Sequence, residues 1–437
     1  MKSFARMTLR HASALAAASP KANGNGTVAA AAAASINGTA SSTPRADSQS
    51  WWGKNYYSTH PPVSRSKGLP DIDVSKLKIQ KTDKPKDLLP SEQLKFGANF
   101  TDHMLAIEWN NVTGWGEPKI QPYQNLSLDP ASCVFHYAFE CFEGMKAYRD
   151  NDGGIRLFRP NMNMARLNRS CKRIALPTFD EEAMTELIKK FVKTEERWIP
   201  NARGYSLYLR PTMIGTQNTL GVGAPRSALF FLIASPVGPY YPTGFKAIKL
   251  EATDYAVRAW PGGVGDKKLG ANYAPCIVPQ LEAAARGYQQ NLWLFGEEEY
   301  VTEVGTMNLF VAIKDKETGV PELITAPLDG TILEGVTRDS VLSLANRHLG
   351  PKGWKISERK LSMYEIDAAA SEGRLIEVFG AGTAAIVSPV RSIAWKGKEI
   401  DCGLRADQEA GEIAAQMKDW IEGIQYGDEA DAWSVRV

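Results

Sequence analysis

The sequence predicts a two-domain protein of the α/β class, in which α/β and α+β features are mixed. Short runs rich in β-branched and aromatic residues have the length of strands, and amphipathic stretches with helical spacing lie between them. A connector rich in proline and glycine, SPVGPYYPTG at 235–244, divides these segments into two groups. With 437 residues the chain is also too long for one ordinary hydrophobic core, which favours two domains.

The first 50 residues are predicted to be a mitochondrial transit peptide followed by a disordered segment rich in alanine, serine and glycine. Residues 1–46 contain lysine and arginine but no aspartate or glutamate. A basic, acid-poor amphipathic start is typical of a mitochondrial transit peptide, which predicts a location in the matrix. A disordered tail without a targeting role is the alternative.

A first, smaller α/β domain is predicted over 94–236, after an extended lead-in at 51–93 that several prolines keep from forming helices. Its predicted strands are 132–140, 204–211 and 228–234, and its predicted helices are 159–174 and 178–198. Thr178 and Glu181 have the spacing of a capping box at the start of the second helix, and Pro200 ends it.

An interdomain linker is predicted at 237–247, and a larger second α/β domain at 248–437. Its predicted strands are 245–252, 291–295, 300–304 and 307–313, and its predicted helices are 274–287 and 337–350. Gly287 is predicted to cap the end of the first of these helices. A cleft between two such domains is a natural place for a small ligand.

Composition and charge argue against several classes of function. The chain has 51 basic and 49 acidic residues and no long basic block, which disfavours nucleic acid as a partner. The apolar run ALFFLIASPVG is closed by Pro236 and Gly238 well before the ~20 residues that a membrane-spanning helix needs. The five cysteines contain no CxxC pair, and no histidine has metal-ligand spacing, which predicts free thiols and no metal site.

The segment GGVGDKKLGANYAP at 262–275 sets Lys267 and Lys268 among glycines. It is not a P-loop, because no serine or threonine follows the lysine at the required spacing. One of the two amines can be a nucleophile if its surroundings keep it unprotonated. The alternative is that both are solvated loop charges.

Glu303 and two turns of small residues are further candidates. Glu303 ends a short apolar strand, where a carboxylate is costly to bury unless it meets a cation or a protonated ring nitrogen. Val336 and Thr337 begin a predicted helix whose free N–H groups can hold a phosphate, and Thr383 lies in a second small-residue turn. A strand-end acid in water, an ordinary helix start and an ordinary turn are the alternatives.

Two strand-like segments offer walls for a ligand. Alternation in GYSLYLRP places Tyr208 and Arg210 on one face, which fits carboxylate recognition or a solvated sheet face. The segment HYAFECFEGMKAY offers Tyr137, Phe142 and Lys146 as an amphipathic wall, with core packing as the alternative.

Taken in order, the motifs FEGMKAY, LYLRP, RAWPGGVGDKKLGANYAP, TEVGTMN and GAGTA resemble those of the class IV, pyridoxal-phosphate-dependent aminotransferases. The resemblance is strongest to the branched-chain amino acid aminotransferases of eukaryotes, and it extends from FGANFTDHML at 96–105 to EGIQYG near the C-terminus. It implies the two-domain fold type IV, similar to D-amino acid aminotransferase. It also implies pyridoxal 5'-phosphate as cofactor and a homodimer.

The resemblance implies a role for each residue around the cofactor. Lys268 would be the Schiff-base lysine and carry the proton during catalysis, and Glu303 would face the pyridine nitrogen. Tyr273 would hydrogen-bond the phenolate oxygen of the cofactor. The phosphate would lie in a cup made by Arg166, Thr383 and the backbone amides of Val336 and Thr337.

The resemblance also implies a substrate pocket that admits both an aliphatic side chain and glutamate. Its aromatic walls would be Phe100, Phe142, Tyr208 and Tyr240. The α-carboxylate would be held by Tyr137, Thr306 and the amide of Ala384. Arg210, with Tyr208, would help to admit the second carboxylate of glutamate.

The expected reaction is therefore reversible, ping-pong transfer of the amino group of leucine, isoleucine or valine to 2-oxoglutarate. The expected partners are small amino acids and 2-oxo acids, without nucleic acid or membrane. A D-amino acid aminotransferase or an aminodeoxychorismate lyase of the same fold is one alternative. A catalytically silent protein that binds pyridoxal phosphate is another.

Overall fold

The computed structural model describes residues 68–240 and 244–437, and the predicted transit peptide lies outside the described residues. Two β-sheets, of ten and nine strands, dominate the described part of the chain, and helices cover their faces. The prediction of a mixed α/β protein is confirmed.

The first sheet is built mainly from the first half of the chain. Its early strands are β1 (Lys78–Ile79), β2 (His103–Asn110), β3 (Gly114–Trp115), β4 (Lys119–Pro122), β5 (Glu140–Phe142), β6 (Met145–Arg149), β7 (Ile155–Phe158), β8 (Ser206–Gly215) and β9 (Ser227–Val237). The central strands β8 and β9 pair antiparallel over their whole lengths, and β6 and β5 lie beside β8.

The second sheet follows in the chain. Its strands are β10 (Ile248–Thr253), β11 (Gln290–Phe295), β12 (Tyr300–Val304), β13 (Met307–Lys314), β14 (Pro321–Thr325), β15 (Lys355–Glu358), β16 (Leu375–Gly382), β17 (Ile386–Trp395) and β18 (Lys398–Asp401). The neighbours run in the order β12, β11, β10, β17, β16 and β13, and a further pairing of β12 with β13 closes these strands into a barrel.

A last strand, β19 (Ser434–Arg436), does not join the second sheet. It pairs antiparallel with β7, at the edge of the first sheet. The segment 248–437, predicted as one domain, therefore contributes an edge strand to the other sheet. Packing also begins ahead of residue 94, because Ile72 is buried in the first core and β1 pairs with β4.

The helices of the described residues are mostly amphipathic. They are α1 (Cys133–Tyr137), α2 (Pro160–Arg173), α3 (Glu181–Thr194), α4 (Ile277–Ala285), α5 (Val336–His348), α6 (Met363–Ser371) and α7 (Glu412–Tyr426). Within the two described segments, none is long and apolar enough to cross a bilayer.

Three hydrophobic clusters hold these elements together. Leu207 and Leu209 of β8 are fully buried in the first cluster, which α2 and α3 complete, so the opposite face of β8 is left for Tyr208 and Arg210. The second cluster belongs to the second sheet and α6. The third joins the two sheets, because Tyr148 of β6 packs in it with Phe310 of β13 and with α5 and α7. The face of the first sheet that carries Tyr208 is thereby turned toward the second sheet.

Most predicted elements are confirmed, with three corrections. The strand predicted at 132–140 is wrong over most of its length, because the chain forms the short helix α1, which Ala138 ends in a left-handed conformation (φ 52°) before β5. The capping box at Thr178 is also wrong. Asp180 caps α3 by accepting from the Ala183 amide at 2.7 Å, while the Thr178 carbonyl accepts from the Trp115 indole at 3.1 Å. Gly287, with φ 96°, follows the C-cap residue Arg286 rather than being that residue.

Candidate active site

Lys268 is held in an extended segment that runs beside β5. Its backbone N–H donates to the Ser170 hydroxyl in α2 at 3.0 Å, and its carbonyl accepts from the Phe142 amide at 3.1 Å. Its Nζ is hydrogen-bonded to the Tyr273 hydroxyl at 2.9 Å and lies 4.6 Å from the centroid of the Phe142 ring. Lys267, in contrast, pairs with its neighbour Asp266. Of the two lysines, the structure therefore brings Lys268 together with the predicted site residues.

Glu303 is 2% exposed, so the alternative of an acid in water is wrong. Its carboxylate accepts from Arg258 Nε at 2.7 Å, from Asn308 Nδ2 at 2.9 Å and from the Leu333 amide at 3.1 Å. Burial raises the pKa of Glu303, and Arg258, the Leu333 N–H and Lys268 act against that rise. Sequence reasoning predicted that a buried Glu303 needs a cationic partner, but no local pattern connects residue 258 with residue 303.

The predicted phosphate cup is a real concavity at the start of α5. Val336 and Thr337 are the first two residues of this helix, and Gly335 precedes them without any side-chain cap. Val336, Thr337 and Thr383 line one small cavity together with residues that include Gly144. Uncapped N–H groups at a helix start, with a hydroxyl opposite, suit an anion.

Arg166 lies next to this cup in α2. It binds the Glu143 carboxylate with two hydrogen bonds of 2.7 and 2.8 Å and donates to the Glu334 carbonyl at 3.0 Å. The pKa of Arg166 lies above that of an ordinary arginine, because the Glu143 carboxylate outweighs the opposing effect of burial. The contact with Glu334 brings the guanidinium to the loop just before Val336.

This donor set fits a pyridoxal phosphate group. The groups that would meet its aldehyde, phenolate, ring nitrogen and phosphate are, in that order, an amine, a hydroxyl, a buried carboxylate and free amides. At two glycines of this site, neighbouring side chains pack directly against the backbone, where a side chain on the glycine would not fit. A Cβ added to Gly144 would overlap the Tyr208 hydroxyl, and one added to Gly335 would overlap the side chain of Asn308, the residue that donates to Glu303.

The predicted substrate wall is assembled around Arg210. One of its Nη groups donates to the Tyr208 hydroxyl at 3.0 Å, and its guanidinium carbon lies 4.5 Å from the centroid of the Phe142 ring. Phe96 packs against Tyr208 and Tyr240, with ring centroids 4.8 and 5.2 Å apart. Within the described residues, Arg210 Nε is buried without a hydrogen-bond acceptor. A ligand at this wall could therefore accept a hydrogen bond from a charged donor.

Phe100, predicted to belong to this wall, instead stacks on Tyr123 with ring centroids 5.3 Å apart. Phe96, rather than Phe100, contacts Tyr208 and Tyr240 in this wall. The motif FGANF contains both phenylalanines in an irregular segment, where neither helical nor strand periodicity indicates which ring faces the site.

Three residues predicted to hold the α-carboxylate have different surroundings. Ala384 lies in the turn between β16 and β17, and its carbonyl accepts from Lys146 Nζ at 2.8 Å. Thr306 is exposed in the turn between β12 and β13. Tyr137 is 36% exposed on α1, where its hydroxyl donates to the Leu220 carbonyl. The structure thus places Tyr137 at the surface of the chain.

Sequence reasoning missed Glu140, which lies beside the site. Its carboxylate contacts Gly270, so closely that a Cβ at that glycine would overlap it. Burial raises the pKa of Glu140, and Arg210, the Gly270 N–H and Lys268 act against that rise. Glu140 and Phe142 share one face of β5, since residues two apart on a strand point the same way. This alternation along β5 is the sequence pattern that could have indicated Glu140 as a site residue.

No group of three or more histidine, cysteine, aspartate or glutamate residues in the described segments could hold a metal ion. All five cysteines lie in these segments and are free. The polar groups brought together in the described site are the amine, guanidinium, hydroxyl, carboxylate and amide groups named above.

Comparisons with known proteins show which family the chain belongs to. The family model for class IV amino-transferases matches residues 140–393. The cytosolic branched-chain-amino-acid aminotransferase of Saccharomyces cerevisiae is 58% identical over 84% of this chain and 98% of its own length. The mitochondrial enzyme of the same yeast is 59% identical over 82% and 91%. The mitochondrial enzyme of Mus musculus is 47% identical over 83% and 91%.

Solved structures show the same fold. The branched-chain amino acid aminotransferase of Escherichia coli matches with a TM-score of 0.61 and 25% identity, covering 76% of this chain and 98% of its own. The enzyme of Thermobaculum terrenum, crystallised in its PLP-form, matches with a TM-score of 0.60 and 22% identity, covering 77% and 98%. With a family model over more than half of its length and relatives near 60% identity, the chain belongs to the branched-chain-amino-acid aminotransferases of class IV.

Proposed function

We propose that this protein transfers the amino group of leucine, isoleucine or valine to 2-oxoglutarate, reversibly and by a ping-pong mechanism, with pyridoxal 5'-phosphate as cofactor. The observation that carries the proposal is the pairing of Lys268 Nζ with the Tyr273 hydroxyl at 2.9 Å over the Phe142 ring. An aminotransferase needs an amine in this position, since it must bind the cofactor and later move a proton.

Each residue of the site has a defined task. When bound, pyridoxal phosphate takes up the amino group and stabilises the electron pair left on the substrate's α-carbon. Lys268 Nζ carries the proton that leaves that carbon, and Tyr273 orients Nζ through their hydrogen bond. Glu303, paired with Arg258, would lie against the ring nitrogen and keep a proton there.

The remaining residues bind and orient. Arg166, Val336, Thr337 and Thr383 would hold the phosphate, which fixes the ring over the site. Phe96, Phe142, Tyr208 and Tyr240 form an apolar wall for the aliphatic side chain, and Arg210 offers its buried, unpaired Nε to the second carboxylate of glutamate. Thr306, Tyr137 and the Ala384 amide are proposed to bind the α-carboxylate.

We infer a homodimer from exposed apolar surface on the described residues. One patch is on α4 and consists of Ile277, Val278 and Leu281, each more than half exposed. Phe135, Leu220 and Val222 are also more than half exposed. Large exposed apolar surface such as that of α4 is typical of an interface rather than of a free monomer. Light scattering of the wild type and of Leu281→Lys tests this, and a monomeric wild type would overturn it.

We propose the mitochondrial matrix as the location, supported by the acid-free basic start of residues 1–46. The yeast relatives include both a cytosolic and a mitochondrial enzyme. Import of the full chain into isolated mitochondria, followed by N-terminal sequencing of the product, tests the location. Failure to enter a protease-protected compartment would overturn it.

One experiment tests the activity and the lysine together. We expect turnover of the three branched L-amino acids with 2-oxoglutarate, and far less with D-alanine. Borohydride reduction and mass spectrometry should find the cofactor on Lys268. Lys268→Ala should lose turnover by orders of magnitude, while Lys267→Ala keeps it. Labelling of another residue, or a preference for D-alanine, would refute the assignment.

A further inference from the structure

Lys146 is a buried lysine that links the two sheets. It lies in β6, opposite Tyr208 of β8, and is 7% exposed. Its Nζ donates to the carbonyl of Ala384 at 2.8 Å, in the turn between β16 and β17. The contact therefore connects the strand beside the substrate wall with the turn that carries both Thr383 and Ala384.

Lys146 lines two cavities at once. Lys146 lines the small cavity of Val336, Thr337 and Thr383, which we assign to the phosphate. It also lines a larger cavity of about 240 Å³ whose walls include Tyr240 and Ala384. One amine thus borders both the cofactor's anionic group and the proposed substrate site.

The charge on Lys146 has no close counter-ion among the described residues. Burial lowers the pKa of Lys146 to about 8, and Glu422 acts in the opposite direction. Glu422, on α7, is itself paired with Lys418 at 2.8 Å. Lys246 also lines the larger cavity and adds a further positive charge. A buried cation without an ion-pair partner attracts an anion that enters its cavity.

We propose that Lys146 is a positioning residue for the substrate's α-carboxylate. Its amine fixes the 383–385 turn through the Ala384 carbonyl, and its charge lies behind the amide that is to bind the carboxylate. The inference rests on the proposed aminotransferase function and adds a residue to its substrate site. It also predicts a pH dependence, since the neutral amine above pH 8 keeps the hydrogen bond but loses the charge.

The test uses the wild type, Lys146→Met and Lys146→Arg, with Lys249→Met as the matched control. Lys249 is an exposed lysine of β10 that lines neither cavity. The quantity measured is kcat/KM for 4-methyl-2-oxopentanoate between roughly pH 6.5 and 9.5, a range that spans the titration of a lysine with a lowered pKa. In a ping-pong reaction this ratio reports one half-reaction, and a 2-oxo acid has no amino group to titrate in this range. Near-ultraviolet circular dichroism of each holoenzyme checks the fold.

At about pH 7 we expect Lys146→Met to lose kcat/KM by roughly tenfold or more, the usual effect of one charged hydrogen bond. The ratio of wild type to Lys146→Met should then fall as the pH rises through about 8, because the wild-type amine loses its charge. Lys146→Arg should keep kcat/KM high at about pH 9, since a guanidinium stays charged there. Lys249→Met should follow the wild type.

A ratio of wild type to Lys146→Met that stays constant with pH would overturn the proposal, since a purely structural lysine predicts that result. An unchanged kcat/KM in Lys146→Met would overturn it as well. Failure of the proposed function would look different, because the wild type itself would then not turn over the branched 2-oxo acid.

Discussion

Arg258 and Glu303 form an ion pair of 2.7 Å in which both side chains are almost completely buried. Burial of a carboxylate favours its neutral form, and a close guanidinium favours the ionised form. The pKa of Glu303 is raised by burial and held back first of all by Arg258. Arg258 thus decides whether Glu303 can keep a proton on the cofactor's ring nitrogen.

Replacing Arg258 by methionine should inactivate the enzyme through Glu303. Without the guanidinium, nothing of comparable size opposes the rise that burial causes in the pKa of Glu303. We expect kcat with leucine to fall by roughly 100-fold, a typical loss for a preorganised electrostatic contact. Steady-state transamination measures this. The double variant Arg258→Met with Glu303→Gln should be no slower than Glu303→Gln alone. Fully multiplicative losses in the double variant would mean that Arg258 acts independently of Glu303.

Phe96 and Phe100 form a matched pair for testing the substrate wall. Phe96 packs on Tyr208 and Tyr240, whereas Phe100 stacks on Tyr123. Phe96→Ala should reduce kcat/KM for leucine by about tenfold or more, the usual range for a lost apolar wall contact. Phe100→Ala should leave it nearly unchanged. A larger loss of kcat/KM in Phe100→Ala than in Phe96→Ala would contradict this and support Phe100 as the wall residue, as predicted from the sequence.

Glu140 should limit how strongly Arg210 attracts a second carboxylate. Its carboxylate is half-buried, and Arg210 is the first of the groups that lower the pKa of Glu140 against the effect of burial. Glu140→Gln should lower KM for 2-oxoglutarate roughly two- to fivefold, the range of a partly solvated charge pair, with little effect on KM for 4-methyl-2-oxopentanoate. Glu108→Gln, an exposed residue of β2, is the control. Equal shifts for both oxo acids would contradict this role.

Glu377 should make stability depend on pH in a direction unusual for an acid. It is 1% exposed in β16 and accepts from the Ile413 and Ala414 amides at the start of α7. Burial raises the pKa of Glu377 to about 7, against the effect of these two amides. Because this value exceeds that of the unfolded chain, the folded protein binds the extra proton. The contribution of Glu377 is therefore full below about pH 4.5 and is lost as the pH rises to about 7.

The variant Glu377→Gln keeps an acceptor for the amides but cannot ionise. Relative to the wild type, its free energy of unfolding should rise with pH by up to about 3 kcal/mol between about pH 4.5 and 7, the linkage value for one proton. Urea denaturation of both proteins at several pH values gives this difference. A difference that does not change with pH would show that Glu377 titrates alike in the folded and unfolded states.

The strands and helices with regular patterns could be predicted from sequence, and the reason is local. In GYSLYLRP the alternation alone sends Leu207 into the core and Tyr208 to the site, and β8 follows it. The segment at 133–137 has strand-like residues, yet only Cys133 of α1 is buried, so no sheet face demands them. Propensity without a buried face gives way to the surrounding chain.

In the site, too, contacts between residues close in sequence could be predicted, and contacts between distant residues could not. The residues named by their motifs, Lys268 and Tyr273, lie five positions apart and meet through one turn of chain. The pairs that sequence reasoning did not connect, Arg258 with Glu303 and Lys146 with Ala384, are joined only by tertiary packing. Nothing in the spacing of a chain records which carbonyl a distant lysine will reach.

The edge strand β19 sets the order in which the protein can be completed. Its partner β7 precedes the whole second sheet in the chain and β19 follows it, so β19 is synthesised long after β7. Until then β7 presents unpaired backbone groups, the kind of surface on which nascent chains aggregate and chaperones act.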